Sequence, residues 1–339
     1  MITLRRTLVV TAALFGVFCL VAAVALTLGS AAIGLGEIAR VLRRPWQEWG
    51  DLAATVILGL RLPRILLAAM AGAGLAVAGA AFQGLTRNPL ADPAILGVAS
   101  GAAFGVVVAQ VLGLEALPFG FVPLAAFAFG GALLAATAVY LIASVGGRLP
   151  IQTLLLAGVI TGLFFTSAIT LIVSLLDFGR LGGVIHWLLG NLSSVGYRGL
   201  EVMAIALAIG VGLVYAQARS LNLLALGEES ALQLGVEAER VKRIIFLAAS
   251  LLTGVVVAFT GPIGFVGLIV PHAVRMLFGP DHRLLIPAAV LSGAGFLVLA
   301  DGLARTLIRP AELPVGVITA FCGAPFFIYL LRTRLHPRL

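Results

Sequence analysis

The sequence of 339 residues contains little charge. Only 11% of its residues are Asp, Glu, Lys or Arg, whereas 61% are hydrophobic and the mean hydropathy is +1.15. A soluble globular domain carries roughly 25% charged residues, so that class is excluded. Several separate runs reach the ~20 apolar residues that cross a bilayer core. The composition predicts an all-α polytopic membrane protein, with residues 1–339 forming a single transmembrane domain.

Lysine and cysteine are also scarce. The one lysine, Lys242, follows the letters ERV rather than a glycine-rich turn, so the phosphate-binding loop G-x-x-x-x-G-K-S/T is absent. If ATP drives this protein, another chain hydrolyses it. The motifs H-E-x-x-H and G-x-S-x-G are absent too, so we expect no catalytic residue. Cys19 and Cys322 have no metal-ligand spacing, and we expect no metal or cofactor bound by this chain.

Basic residues outnumber acidic ones, giving a net charge of +8. There is no basic run with interleaved aromatics, so we expect no nucleic-acid partner. In a membrane protein this excess is typical of cytoplasmic loops. The apolar run 8–28 is longer than the ~7–15 residues of a signal-peptide core, which favours a first transmembrane helix.

Ten transmembrane spans are predicted, so both termini lie on the same side of a bacterial inner membrane. With the termini in the cytoplasm, thirteen of the 22 Lys and Arg residues fall inside, which supports this orientation. The eighth span is too short to cross alone. The spans are 8–29, 64–86, 94–113, 119–144, 153–176, 199–218, 242–260, 270–279, 285–304 and 313–332.

An inverted repeat is possible, in either of two registers. One register pairs RLPRI at 61–65 with RVKRI at 240–244, and the other pairs AGAG at 71–74 with SGAG at 292–295. Between spans seven and eight, glycines and prolines of TGPIGFVGLIVPHAVRMLF prevent a continuous helix through an apolar stretch. We expect a short broken helix there, with Pro271 in its first turn and its end near Phe278.

Polar residues at membrane depth are candidates for function. Asp301 lies one helical turn before Arg305, so a structural ion pair is the favoured interpretation and proton carriage the alternative. His272 has two interpretations, a packing histidine or a proton or metal group. A polar stripe in the fifth span could form helix–helix hydrogen bonds or line a pathway. It consists of Thr161, Thr166, Ser167 and Thr170.

The stretch LNLLALGEESALQLGVEAERVKR, from Leu221 to Arg243, interrupts the apolar runs and holds four of the 14 carboxylates. Leucines and Val236 form a small apolar surface among the carboxylates there, and Gly227 and Gly235 are natural helix breaks. An amphipathic, acidic loop of this length suits docking to a protein groove better than burial in lipid.

The segment RLPRILLAAMAGAGLAVAGAAFQGLTRNPLADPAILGVASGAAFG (61–105) resembles the signature of FecCD-type permeases, the membrane subunits of ABC importers for iron chelates, haem and cobalamin. LLLAGVITGLF, IHWLLGNLSSV, GPIGFVGLIVPHAVRMLFGPDHRLLIP and RPAELPVGVITAFCGAPFFIYLLR resemble later parts of that family in the same order. The resemblance covers about residues 35–334. It implies a second permease copy, as a homodimer, two ATPase subunits that bind ATP and Mg, and an external solute-binding protein.

The resemblance also implies roles for particular residues. The loop 219–243 would form short coupling helices that contact the ATPase, and Arg61, Arg64 and Arg305 would dock acidic residues of the binding protein. Thr161, Thr166 and Thr170 would line the translocation path. The coupling residues implied are Leu224, Leu226, Gly227, Glu228, Glu229, Ala231, Leu232, Leu234 and Gly235.

The substrate is not encoded in these motifs. An iron–siderophore complex or haem is the first expectation and cobalamin the alternative within the same architecture. His186 beside Trp187 is expected to be an interfacial residue rather than a haem ligand. An alternative of another class is an ion-coupled secondary transporter that uses Asp301 and His272.

Overall fold

The computed structural model describes residues 3–29, 33–43, 51–114, 122–176, 178–192, 195–308 and 311–335, and these are helical almost throughout. The α-helices are α1 (Leu4–Thr27), α2 (Leu35–Arg43), α3 (Leu52–Ala54), α4 (Leu62–Thr86), α5 (Val98–Val111), α6 (Val122–Ala143), α7 (Ile151–Ser174), α8 (Phe178–Leu188), α9 (Tyr197–Ala216), α10 (Ala218–Leu224), α11 (Glu228–Gln233), α12 (Ala238–Thr260), α13 (Val266–Phe278), α14 (His282–Ala304) and α15 (Val315–Leu335).

Each of the ten predicted spans coincides with one of these helices, which confirms the polytopic all-α class. Seven described helices are long and apolar enough to cross a bilayer, and α5, α13 and α15 contain shorter apolar segments. The sequence analysis did not predict α2, α8 or the π-helical stretch Thr55–Arg61, which joins α3 to α4. The chain ends that we placed in the cytoplasm, 1–2 and 336–339, lie outside the described residues.

Helix α4 lies at the centre of the bundle, where it packs against α9, α12, α13 and α14. Its alanine- and glycine-rich sequence makes this possible, because small residues let helix backbones approach closely. A Cβ atom on Gly79 would lie 1.8 Å from the carbonyl oxygen of Gly267 in α13, and one on Gly72 would lie 2.1 Å from that of Gly293 in α14. Close backbone packing therefore holds the core together.

The helix pattern supports the first repeat register. In both α4–α5 and α12–α13 a long helix is followed by a break and then by a helix of 14 or 13 residues. Arg87 at the end of α4 and Lys242 at the start of α12 both contact Glu228, so the two long helices run antiparallel. Helix α14 also runs antiparallel to α4, since Arg64 at the start of α4 contacts Asp301 near the end of α14, but α14 is followed by α15 of 21 residues, so the helix lengths of the second register do not match.

The prediction that Pro271 lies in the first turn of the short helix was wrong, since α13 begins five residues earlier at Val266, whereas its predicted end near Phe278 is confirmed. A proline inside a helix leaves the carbonyl four residues before it without a backbone donor. That carbonyl belongs to Gly267, and the amide Nε2 of buried Gln83 donates to it at 3.4 Å and to the carbonyl of Leu268 at 3.3 Å. A neighbouring helix therefore supplies the donor that proline removes.

The bundle has two ends, named here by their residues. The α10–α11 end holds Arg87, α10, α11 and the turn at Asp281. The Arg64 end holds Arg64, Asp301 and Glu312. The functional residues predicted from the sequence divide between these two ends and helix α7.

Candidate functional site

At the α10–α11 end, two short helices form an amphipathic surface. Gly227 precedes α11 with φ 113° and Gly235 follows it with φ 81°, backbone conformations that favour glycine. Leu226, Leu232 and Leu234 are 66%, 66% and 59% exposed. Exposed leucines grouped among carboxylates are typical of a surface that awaits a partner.

Two of the nine predicted coupling residues serve a different purpose. Leu224 and Ala231 are buried and pack into the hydrophobic core. They attach α10 and α11 to the bundle, so the outward-facing side chains among the nine are the three exposed leucines, Glu229 and part of Glu228. Alternation of buried and exposed faces along a helix accounts for this division.

A line of charged groups connects α11 to the bundle. Lys242, which is 5% exposed, places its Nζ 2.9 Å from Glu228 Oε2 and 2.9 Å from Glu239 Oε1. Glu228 Oε1 lies 3.6 Å from Nη2 of Arg87, and Glu239 Oε2 accepts a 2.7 Å hydrogen bond from the backbone N–H of Leu149. We call this set, Arg87, Glu228, Lys242, Glu239 and the Leu149 amide, the Lys242 network.

Helix α10 has its own attachment. The side-chain NH2 of Asn222 donates to Asp281 Oδ1 at 2.7 Å. The Oδ1 of Asn222 lies 2.9 Å from the backbone N of His282 and 2.8 Å from Nδ1 of the His282 ring. Because Asn222 Oδ1 can only accept, His282 carries its proton on Nδ1. The side chain thus joins α10 to the first turn of α14.

At the Arg64 end, buried charges surround Asp301. This carboxylate is 1% exposed and lies 2.9 Å from Arg64 Nη2 and 2.9 Å from Arg305 Nε. Arg64 also contacts Glu312, which is about half exposed, at 2.7 Å. The predicted Asp301–Arg305 ion pair is confirmed, and the engagement of Asp301 with two guanidinium groups argues against proton carriage.

The three arginines assigned to docking differ in accessibility. Arg61 and Arg305 are 4% and 7% exposed, and they donate to the backbone carbonyls of Leu26 and Leu28. They hold the end of α1 against α4 and α14. The Arg64 side chain is 17% exposed. Of the three arginines, Arg64 is therefore the most accessible to a partner.

The polar stripe of α7 does not form one face. Thr161 is buried, whereas Thr166 and Thr170 are exposed and donate to the carbonyls of Gly162 and Thr166 within the helix. At 100° per residue, Thr161 and Thr170 lie about 180° apart around the helix axis. The exposed face of α7 therefore presents Thr166 and Thr170 but not Thr161.

The two histidines considered earlier occupy different environments. His272 is buried in α13, with its ring centroid 6.3 Å from that of Phe326. His186 lies 2.8 Å from the Asn191 side chain. Among the described residues, no group of three or more His, Cys, Asp or Glu side chains is placed to hold a metal ion.

Sequence reasoning missed Asn222, Glu239 and Glu312 as contact residues. Lys242 did offer a signal, because it is the one lysine of an apolar chain and carboxylates lie close to it in sequence. In the sequence analysis it served only to exclude a phosphate-binding loop. Glu312 offered none, since it contacts Arg64 across 248 positions of sequence.

Comparison with known proteins agrees with this architecture. The model of the FecCD transport family matches residues 6–333. The hemin transport system permease protein HmuU of Yersinia pestis is 40% identical over 321 residues, covering 93% of this chain and 94% of that protein. The cobalamin import system permease protein BtuC of Halobacterium salinarum is 47% identical over 283 residues, covering 83% and 74%.

A solved structure gives the same result. An inward-facing conformation of a metal-chelate type ABC transporter superimposes with a TM-score of 0.81 at 32% identity, covering 96% of this chain and 99% of that chain. The shared helices and the family match over nearly the whole length lead to one conclusion. This chain belongs to the FecCD transport family and is a multi-pass membrane permease, homologous to permeases of haem-transport and cobalamin-import systems.

Proposed function

We propose that this permease is the membrane subunit of an ATP-driven importer of metal chelates, in which a separate chain binds ATP and Mg and hydrolyses the nucleotide. The observation that carries the proposal is the amphipathic surface of α10 and α11. A carrier that works alone needs no such surface, whereas three leucines exposed among carboxylates suit a protein groove.

The assembly would contain two copies of this permease, two ATPase subunits and an external solute-binding protein. The α10–α11 end would face the cytoplasm of a bacterium, in its inner membrane, with both chain termini on the same side. Leu226, Leu232, Leu234, Glu228 and Glu229 would contact the ATPase directly. Leu224 and Ala231 would anchor the coupling helices, and Gly227 and Gly235 would shape the turns around α11.

At the opposite end, Arg64 would contact an acidic residue of the binding protein. An exposed ion pair contributes only about 0–1 kcal/mol, so this arginine would mainly orient the incoming partner. Arg61 and Arg305 would act indirectly, by holding α1 and Asp301 in place beneath the docking surface.

Movement of the coupling helices on ATP binding would open the path alternately to each side of the membrane. The exposed face of α7, with Thr166 and Thr170, would border this path together with the second permease copy. Such a path needs few specific contacts with a bulky chelate. An iron–siderophore complex or haem is the proposed substrate, with cobalamin as the alternative carried by the same architecture.

Uptake in a strain lacking this gene tests the proposal. Labelled ferric siderophores, haem and cobalamin are compared side by side, with the wild-type gene as the rescue. Loss of one iron compound supports the proposed substrate, and loss of cobalamin uptake alone replaces it while keeping the architecture. Normal uptake of all three, with the partner subunits expressed, would refute the importer.

The ion-coupled alternative is tested by the same strain with an inactive ATPase subunit. An importer driven by ATP loses uptake completely. Continued uptake that collapses on addition of a protonophore would instead favour ion coupling.

A further inference from the structure

We propose that Lys242 is the positioning residue that transmits movement of α11 to the helix bundle, through the Lys242 network. The proposal rests on the proposed role of α11 as a coupling helix, and it adds the route by which movement of that helix reaches the membrane-spanning part.

The network is arranged as a continuous line across four elements. Arg87 ends α4, Glu228 lies in the first turn of α11, and Lys242 and Glu239 lie in the first two turns of α12. The second oxygen of Glu239 accepts the hydrogen bond from Leu149, which precedes α7. Both carboxylates use both oxygens, so neither can turn away from Lys242 without losing its other partner.

Besides the network, α11 is held by buried Ala231 and by its packing against α10. The helix has six residues and no side-chain hydrogen bond at its N-cap, and a helix this short is unstable by itself. Within it, Ala231 is the buried apolar contact and Glu228 supplies the ionic one. Tertiary contacts with α10 and α12 therefore determine where α11 lies, and the ionic ones are made with α12.

Burial makes the contact at Lys242 stiffer than an ordinary surface ion pair. Exposed ion pairs contribute little, but Lys242 is 5% exposed as a residue, and separating its ammonium group from its partners would leave a desolvated charge. Replacing this ammonium with an apolar group would leave Glu228 and Glu239 facing one another. Their repulsion would displace α11 from α12.

The elements joined by the network extend far from the α10–α11 end. Helices α4 and α12 cross the bundle, and α4 begins at the Arg64 end. Helix α10 packs against α4, α12 and α14, and the Asn222 side chain bonds it to the start of α14. Asn222 thus links α10 to α14, whereas the Lys242 network links α11 to α4 and α12.

The test uses proteoliposomes that contain the whole complex and measures the labelled compound transported per ATP hydrolysed, the compound being whichever of the ferric siderophore, haem or cobalamin the deletion strain fails to take up. For Lys242→Met we expect ATP hydrolysis to continue while transport per ATP falls by about tenfold, the effect of losing one interaction of ordinary strength. Lys242→Arg restores the charge and should recover most of the coupling. Arg283→Met is the matched control, because it removes an exposed charge from the same end and outside the network.

A second measurement is made on the wild-type complex, so its result does not depend on a Lys242 variant that could misfold. Lys242 is the only lysine in the chain, so reductive methylation followed by mass spectrometry of its peptide reports its protection directly. We expect the same low labelling of the wild-type complex with and without a non-hydrolysable ATP analogue, because the network stays closed. Arg198→Lys, an exposed lysine at the opposite end, provides the control for reagent access.

Two results would overturn the inference while leaving the importer intact. One is a Lys242→Met complex with wild-type transport per ATP, and the other is strong labelling of Lys242 once the nucleotide analogue binds. A wild-type complex that transports nothing would instead count against the proposed function.

Discussion

Removal of the buried carboxylate at Asp301 should destabilise the permease far more than removal of the exposed carboxylate at Glu312, although both contact Arg64. Asp301 is 1% exposed and lies 2.9 Å from each of two guanidinium groups. In Asp301→Asn, Arg305 remains 7% exposed without its carboxylate. Removing one member of a buried ion pair costs about 3–5 kcal/mol, because the other charge stays desolvated.

This free energy corresponds to a measurable shift in melting temperature. At about 2.1 cal/mol/K per residue, the 339 residues give an unfolding entropy of roughly 0.7 kcal/mol/K. A loss of about 3–5 kcal/mol then lowers the melting temperature by about 4–7 °C. For Glu312→Gln the loss is about 0–1 kcal/mol, and the shift should stay below about 2 °C.

Both shifts in melting temperature are measured by heating the detergent-solubilised permease and determining the folded fraction by size-exclusion chromatography. A double variant, Asp301→Asn with Arg305→Met, should recover part of the loss, since replacement of a buried pair by uncharged groups is often neutral. Equal shifts for Asp301→Asn and Glu312→Gln would refute the reasoning. So would a double variant less stable than Asp301→Asn.

Three further predictions concern packing and coupling. Gly79→Ala places a methyl group against the carbonyl of Gly267 and should lower the free energy of unfolding by at least about 1–3 kcal/mol. The melting temperature measures this loss. The control is Gly130→Ala, which has open space around it and should leave the melting temperature unchanged. Leu232→Asp should lower the amount of ATPase subunit that co-purifies with the permease by about tenfold or more, while the thermal stability of the permease stays unchanged. Undiminished co-purification would contradict the proposed contact surface. Asn222→Ala should lose about 1–3 kcal/mol, because Asp281 and the His282 amide lose a partner; a melting temperature equal to wild type would show that this link carries no stability.

The sequence predicted the long helices well, because apolar length is a strong signal in a membrane protein. The stretch 221–243 was also identified from sequence, since carboxylates and leucines together stand out between apolar runs. The Asp301–Arg305 pair followed from its spacing of one helical turn. Each of these features depends on neighbours in sequence.

The faces of the helices were harder to predict. In a soluble protein the buried side of a helix is apolar and the exposed side polar, but lipid and protein core are both apolar, so the pattern loses its contrast. Arg61 therefore looked available for docking, although it is buried and donates to the carbonyl of Leu26. Helical geometry by itself would have separated Thr161 from Thr170, because nine residues place them on opposite sides of the helix.

The sequence by itself determined that this chain is a polytopic helical permease without its own phosphate-binding loop, because composition, apolar length and motifs are local properties. Only the tertiary structure decided which side chains act together. Glu312 meets Arg64, Gln83 meets the carbonyl freed by Pro271, and Leu149 meets Glu239. These contacts join segments far apart in sequence, and they form because small residues bring the helix backbones close enough for their few polar groups to meet.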